Sequence, residues 1–339
     1  MQLAVLGSLP AAEISAAWAA ANAGTEVVYV TDHAHPRQWL AHVSWEGSIR
    51  SAHVKRVRVG SPLEADAFVL IASREETFDL VRSYAKVMRG RPILLAPGGF
   101  AIVEAVDKLV NSNTNERSAA LGQLPGFPAI GEIESDNVRI GSVKRDFPVG
   151  PLQHEEGPVL LDVFRRWFPE LSASSLAETT LSNTNNLIHP PILLVNAARS
   201  EKGETYLFYR QGVTDAASRL IHGIDQERLE LLKALDQPPV PVTVWMRRYY
   251  GDQGLDGENI GQMLTGLRSL AGSRGPETLH HRYVSEDVAY GLAPMEELAH
   301  RFDVATPLMS SLIDLYSAMC GSNLREAAPR LVDQSAIVE

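Results

Sequence analysis

Apolar residues in the first third of the chain fall in short unbroken runs, each followed by a stretch with helical spacing. "LAVLG" (Leu3 to Gly7), "EVVYVT" (Glu26 to Thr31), "AFVLIAS" (Ala67 to Ser73) and "PILLAPGG" (Pro92 to Gly99) are such runs. Their length and their β-branched content suit strands buried on both faces. Between them, "AAEISAAWAAANAG" is alanine-rich and ends at Gly24, where a helix C-cap glycine belongs, and "REETFDLVRSYAKVMRG" has helical periodicity. Strand, helix and strand in repetition predict a parallel, doubly wound sheet. Ligands of such sheets bind at the carboxyl ends of the strands, so the loops after Leu6, Val30, Ala72 and Ala96 are expected to line one crevice.

The pattern changes near residue 150. "RDFPVGPLQHEEGP" (Arg145 to Pro158) is rich in Pro, Gly and charge and reads as a linker. Beyond it amphipathic helices dominate: "ASRLIHGIDQERLELLKALD" (Ala217 to Asp236), "MEELAHRF" and "PLMSSLIDLYSAMCG". The expected architecture is therefore a Rossmann-like α/β domain over residues 1–150, a doubly wound parallel sheet, followed by an all-α domain over residues 151–339. A small-molecule site is expected in a cleft between them.

Composition removes several functional classes. A chain of 339 residues suffices for two domains, and 45% hydrophobic with 21% charged residues is ordinary for a globular protein. A formal net charge of −10 speaks against nucleic acid and anionic membrane surfaces as partners. Cys320 is the single cysteine, so no internal disulfide forms and no cysteine-based metal site is expected. "MQLAVLGSLP" lacks the basic start of a secretory signal, and no window reaches the roughly 18 apolar residues of a membrane span. A cytoplasmic location is the expectation. No metal is expected: "HAH" (His33 to His35) and "HH" (His280 and His281) come without an acid or thiol set at ligand spacing and read as solvated.

The first strand-to-helix turn, "GSLPAA", raises a specific question. A dinucleotide fingerprint has three glycines: one for the tight turn, one for close approach of the pyrophosphate, one for helix–strand packing. Gly7 provides the first, Leu9 stands in place of the second, and Ala12 is an accepted substitute for the third. Pro10 suits the first helical position, which needs no N–H donor. Asp32, twenty residues after Ala12, lies where an acid usually holds the adenosine ribose and favours NAD over NADP, while His33, His35 and Arg37 blur that preference. On these residues a dinucleotide site and a Rossmann-like layer without one both remain open.

Three later stretches carry candidate chemistry. In "LSNTNNLIHPPILLVNAARSE" (Leu181 to Glu201), Asn185 and His189 are four apart and share a face if the turn is helical. Histidine can act as a general acid or base, and asparagine can donate to a carbonyl oxygen. In "HHRYVSEDVAYGLAPMEELA" (His280 to Ala299), Arg282 offers a fork for a carboxylate and Asp287 a partner for an imidazolium. "YLFYRQGVT" (Tyr206 to Thr214) reads as surface packing.

"LSNTNNLIHPP", "FYRQGVTDAASRLIHGIDQERLELLKAL" and "RYVSEDVAYGLAPMEELA" with a later "TP" closely resemble the helical domain of the opine dehydrogenases, the octopine and nopaline dehydrogenase family. The resemblance runs from about Gly157 to Leu315, and the first half agrees in layout, including "ILLAPGGF". Such enzymes join an amino acid to a 2-oxo acid and reduce the resulting imine with NAD(P)H. By position the resemblance makes His189 the catalytic histidine and Asp287 its carboxylate partner. It makes Asn185 a substrate-orienting asparagine and Arg282 the arginine that holds a substrate carboxylate. It also implies a cofactor, NAD or NADP, along Gly7, Leu9, Pro10, Ala12 and Asp32, with the nicotinamide near Gly98 and Gly99, and it implies a homodimer. This chain departs from the family at Leu9, where members keep a glycine; the proline that follows resembles the loop of the metallophore-making branch, which also keeps that glycine. The chain is also at the short end for the family. Two other readings stand beside an oxidoreductase. One is a non-redox enzyme using the His/Asp pair for condensation, elimination or cyclisation of an amino-acid-derived substrate. The other is a small-molecule-binding protein without catalysis.

Overall fold

The computed structural model describes residues 1–33, 37–111, 120–251, 253 and 255–327. His35 therefore lies outside the described residues. The chain divides into two units, Met1–Gly98 with Ile102–Thr180, and Gly99–Ala101 with Leu181–Glu339.

The first unit is built on β1 (Leu3–Leu6), β2 (Val27–Val30), β3 (Arg37–Trp45), β4 (Ser48–Val57), β5 (Ala67–Ile71), β6 (Ile93–Ala96), β7 (Leu121–Gln123), β8 (Ala129–Glu134), β9 (Asn137–Val143), β10 (Phe147–Pro151) and β11 (Leu171–Ala173). They form one sheet in the order β11-β10-β7-β6-β5-β1-β2-β4-β3-β9-β8. The apolar runs are its centre. β1 pairs in parallel with β2 and β5, and β6 pairs in parallel with β5 and β7. Every residue of β1, β2, β5 and β6 is buried, the signature of parallel strands covered on both faces. Because these strands run the same way, the loops after Leu6, Val30, Ile71 and Ala96 leave the sheet at one edge.

Helix α1 (Pro10–Ala23) explains its own alanines. Residues from Ala11 to Ala21 are buried almost all round the helix, which has no polar face of consequence. It packs on β1, β2 and β4 and also on β8 and β9 at the far end of the sheet order, so the sheet curls around it. Small side chains let strands approach it from both sides. Helices α2 (Arg74–Met88) and α3 (Ile102–Asn111) pack on each other and on β5 and β7 respectively. Ser73 caps α2 by accepting the Glu76 N–H.

Two departures from simple alternation enlarge the sheet. β3 and β4 form a hairpin where an alternating layout would place a helix, and β4 then runs parallel to β2. Its two-residue turn has positive φ at Glu46 and Gly47, the handedness that matches strand twist. Trp39, Ala41 and Val43 alternate inward with Ala52 and Val54 opposite. The second departure is the segment expected to be a linker. Phe147–Pro151 is the buried strand β10, and α4 (Gly157–Phe164) and β11 follow it within the same unit. The division of the chain thus falls between Thr180 and Leu181 rather than at residue 150, because residues 151–180 carry the last strand of the sheet and the helix packed on it.

The second unit is helical: α5 (Leu176–Leu181) leads into it, followed by α6 (Asn185–Val195), α7 (Ala197–Glu201), α8 (Phe208–Gln211), α9 (Asp215–Ala234), α10 (Val242–Tyr250), α11 (Ile260–Gly266), α12 (Arg282–Ser285), a π-helical turn over Asp287–Leu292, α13 (Ala293–Arg301), α14 (Pro307–Cys320) and α15 (Leu324–Ala327). Thr214 caps α9 through the Ala217 N–H. Buried charges fix its helices: Arg228, wholly buried, is held by Asp225 at 2.6 Å and reaches the carbonyls of Leu181 and Val240, while Asp225 also accepts the Val242 N–H that opens α10. Glu227 accepts the Leu308 and Met309 N–H groups at 2.7 and 2.9 Å, neutralising the N-terminus of α14. No helix of the described residues is long and apolar enough to cross a membrane.

Candidate active site

The strongest constellation lies within the helical unit. His189 sits in the second turn of α6, and Pro190 and Pro191 follow it inside the helix. Both prolines lie beyond the four helix-opening positions whose N–H groups have no intrahelical partner, so each removes a backbone hydrogen bond from α6. Tyr316 of α14 donates its hydroxyl to the Pro190 carbonyl at 2.7 Å, tying α6 to α14. Asp287 is the first residue of the π-helical turn, a local widening that commonly marks functional sites.

His189 and Asp287 meet across 98 residues of chain. Nδ1 lies 2.7 Å from Oδ2, and both side chains are buried. The carboxylate can only accept, so Nδ1 carries the hydrogen and Nε2 keeps the lone pair. Tyr209, from α8, lies with its hydroxyl 2.8 Å from Nε2 and therefore donates to it. The Tyr283 ring stacks on the imidazole at 3.9 Å between centroids, and Phe208 meets it edge-on at 5.8 Å. Burial lowers the imidazole's proton affinity against the opposing pull of Asp287, with the Arg282 charge lowering it further, so the neutral ring is favoured. Burial pushes the Tyr209 hydroxyl far above its ordinary range, and Tyr283 is pushed up to about 12, again chiefly by burial.

Arg282 stands on α12 within electrostatic reach of the same group. Burial works against its charge, yet the Asp287 and Glu286 carboxylates overcome that and hold it above the usual arginine range. Its Nε makes no hydrogen bond, the nearest Glu286 oxygen being 3.6 Å away. Asn185 opens α6 one turn before His189. Among the described residues, no side-chain hydrogen bond joins it to His189, Asp287 or Arg282. Asn183 instead accepts the Asn185 N–H at 3.2 Å and shapes the helix start.

Sequence reasoning missed the aromatic half of this site. Tyr206 to Thr214, read as surface packing, supplies Tyr209 and Phe208, both buried. The visible signal was two adjacent aromatics a short way downstream of the histidine in a chain with few aromatics. His281 also differs from its reading as a solvated residue: it is half-buried, its Nδ1 accepts the Tyr283 N–H at 3.3 Å, and its ring meets Tyr283 edge-on at 4.4 Å. Among the described residues no cluster of three or more His, Cys, Asp or Glu could hold a metal ion.

The dinucleotide candidates divide by role. Gly7 has φ +146, and a Cβ there would stand 2.0 Å from the Ile71 carbonyl oxygen, so the turn requires glycine. Ala12 is wholly buried. Leu9 is the N-cap of α1 with an extended backbone (φ −66, ψ 143) open to any residue, and its side chain is half-buried. Pro10 has no N–H, and the Ala12 N–H is given to the Leu9 carbonyl at 2.8 Å, which leaves the turn fewer donors for a phosphate. Asp32 is exposed beyond the end of β2. Gly98 admits no side chain, because a Cβ would meet Gln123 at 2.4 Å, whereas one at Gly99 would meet nothing. The roles that serve the turn and the packing fit a dinucleotide cradle, and the phosphate-donor role is reduced.

The comparisons agree with this division into a Rossmann-like unit and a helical one. Residues 172–320 match the family model described as NAD/NADP octopine/nopaline dehydrogenase, alpha-helical domain. An opine dehydrogenase of Arthrobacter sp. (strain 1C) is 33% identical over 266 residues, spanning 78% of this chain and 73% of that protein. A vitopine synthase of Allorhizobium ampelinum is 32% identical over 139 residues, 40% of this chain and 38% of that protein. An octopine dehydrogenase solved with NADH and agmatine shares the fold with a TM-score of 0.74 at 16% identity, covering 95% of this chain and 90% of that one. The fold is that of the octopine dehydrogenases. The chain belongs to the opine dehydrogenase family, and its class is oxidoreductase.

Proposed function

We propose that the protein is an NAD(P)H-dependent dehydrogenase that joins the nitrogen of an amino acid or amine to the carbonyl carbon of a 2-oxo acid and reduces the imine so formed. The observation that carries this reading is His189, buried, with Asp287 on one ring nitrogen and a tyrosine hydroxyl on the other. A neutral imidazole can take a proton from the substrate ammonium, which frees the amine to attack the oxo carbon. The imidazolium is then stabilised by Asp287 and can return the proton to the carbinolamine hydroxyl, which leaves as water. Arg282, charged and with its Nε unbonded, is suited to a substrate carboxylate. Asn185 is assigned the polarising of the oxo group, from its place one turn before His189.

Gly7, Leu9, Pro10 and Ala12 would hold the cofactor pyrophosphate, Asp32 the adenosine ribose, and Gly98 and Gly99 the nicotinamide end. When bound, NADH or NADPH supplies the hydride for the imine carbon. The test is loss of reduced-nicotinamide absorbance on mixing purified protein with panels of amino acids and 2-oxo acids. Consumption that requires both substrates supports the reading; none with any pair rejects it.

A second reading is supported by the donor-poor loop at Leu9, Pro10 and Ala12: a non-redox condensation, elimination or cyclisation by the same His/Asp pair. It predicts substrate turnover with no NAD(P)H binding. A homodimer in the cytoplasm completes the proposal, and light scattering that gives a monomer at micromolar concentration removes the dimer.

A further inference from the structure

The imidazole of His189 has no open nitrogen. Nδ1 is committed to Asp287, Tyr283 covers a face, Phe208 closes an edge, and Nε2 takes the Tyr209 hydroxyl at 2.8 Å. A substrate amine that gives its proton to this base must either displace Tyr209 or pass the proton through it.

Displacement would disturb a built structure. Tyr209 is 6% exposed, and Phe208 packs against it edge-on at 5.1 Å. The single turn of α8 is pinned at its start, where Phe208 donates to the Ser273 carbonyl, and at its end, where Gly212 donates back to Leu207 and Phe208. Passage requires no movement, because a hydroxyl donates and accepts at once. Arg282 lies 6.0 Å from the centre of the Tyr283 ring, which itself stacks on His189, so a carboxylate bound there brings its substrate to this cluster.

We propose that Tyr209 is a catalytic proton relay between His189 Nε2 and the substrate nitrogen; this rests on the dehydrogenase reading above. In the forward step a substrate ammonium N–H breaks as its proton moves to the Tyr209 oxygen. The tyrosine O–H breaks at the same time as its own proton moves to Nε2. The ammonium becomes an amine, the imidazole becomes an imidazolium facing Asp287, and Tyr209 ends as it began. The reverse passage protonates the carbinolamine oxygen, which leaves as water. Burial pushes ionisation of the tyrosine hydroxyl upward, which favours concerted transfer over a free phenolate.

The experiment uses the full chain with Tyr209→Phe, which keeps the ring and removes the hydroxyl. The relay expects a fall in kcat of roughly 10²-fold or more, with unchanged Kd for NADH. It also expects wild-type rates in mixtures of light and heavy water to follow a curved dependence on deuterium content, as two protons in flight require, and the dependence of Tyr209→Phe to straighten. Unchanged kcat in Tyr209→Phe overturns the relay and leaves the dehydrogenase reading standing. A straight line for the wild type overturns it without any variant. No turnover by the wild type with any amino acid and 2-oxo acid overturns the dehydrogenase reading and the relay with it.

Discussion

Nδ1 of His189 lies 2.7 Å from Oδ2 of Asp287, and no solvent separates them, since each side chain is 5% exposed. The pair depends on two local features, the first turns of α6 and the π-helical turn that begins at Asp287. Asp287→Asn preserves the shape and still accepts the Nδ1 hydrogen, but it cannot balance an imidazolium. Turnover should fall by roughly 10²- to 10⁴-fold while the melting temperature changes little. Asp287→Ala should also cost about 1–3 kcal/mol of stability, because it leaves a buried N–H unpaired. Wild-type turnover by Asp287→Asn would exclude the carboxylate from the chemistry.

The buried histidine also makes stability depend on pH. Its folded-state proton affinity is lowered, chiefly by burial, relative to an unfolded value of about 6.5. Between those two values the unfolded chain binds more protons than the folded one, so stability rises with pH. The contribution is intact above about 6.5 and is lost as pH falls through the lowered folded value. His189→Gln has no such proton to bind. Thermal melts from pH 7.5 down to about pH 5 should show a steeper loss for wild type than for the variant; parallel curves would mean that His189 is not buried neutral.

Arg282 is expected to act in binding more than in stability, because its ion pair with Glu286 is loose at 3.6 Å and its buried Nε has no hydrogen bond. Arg282→Gln should lower kcat/KM for the 2-oxo acid by roughly 10- to 100-fold, the scale of one charge-assisted hydrogen bond. Arg282→Lys should recover part of this, since it restores charge without the fork. Steady-state kinetics with each variant test the assignment, and an unchanged KM for both substrates would remove it.

How far these features were legible in the chain depends on their range. The central strands could be read directly, because Leu3–Leu6 and Ile93–Ala96 are buried on both faces and therefore apolar without interruption. The β3–β4 hairpin was equally local, with Trp39, Ala41 and Val43 inward and Gly47 in the turn, but Leu40 and Ile49 on the exposed face masked the alternation. Phe147–Pro151 looked like a linker because Pro148, Gly150 and Pro151 carry turn chemistry, and its burial comes from pairing with β7 and β11 and from the packing of α4 on it. His189 and Asp287 were paired through resemblance, since a separation of 98 positions leaves no periodicity to join them. Tyr209 needed the fold itself: nothing in "YLFYRQGVT" says which aromatic turns toward the histidine.

Leu9 offers the sharpest test of the cofactor side. Its backbone is extended, with φ −66 and ψ 143, so the turn does not need glycine there as it does at Gly7. A glycine at position 9 would ease the approach of a pyrophosphate. It would also replace a poor N-cap residue with a better one, so Leu9→Gly should melt at the wild-type temperature or slightly above. If the loop still receives a dinucleotide, wild type binds NADH or NADPH weakly and Leu9→Gly binds as well or better, each tenfold gain in affinity reporting about 1.4 kcal/mol of relieved crowding. The alanines of α1 and the glycine at position 7 do not decide the matter, because both also serve the sheet: Ala12 is wholly buried and Gly7 lies against the Ile71 carbonyl. Calorimetric titration of both proteins with both cofactors does decide it. We expect measurable wild-type binding that the substitution preserves or tightens. Silence from wild type with both cofactors at millimolar concentration, in a preparation that still converts its substrate, would transfer the His189–Asp287 pair to non-redox chemistry.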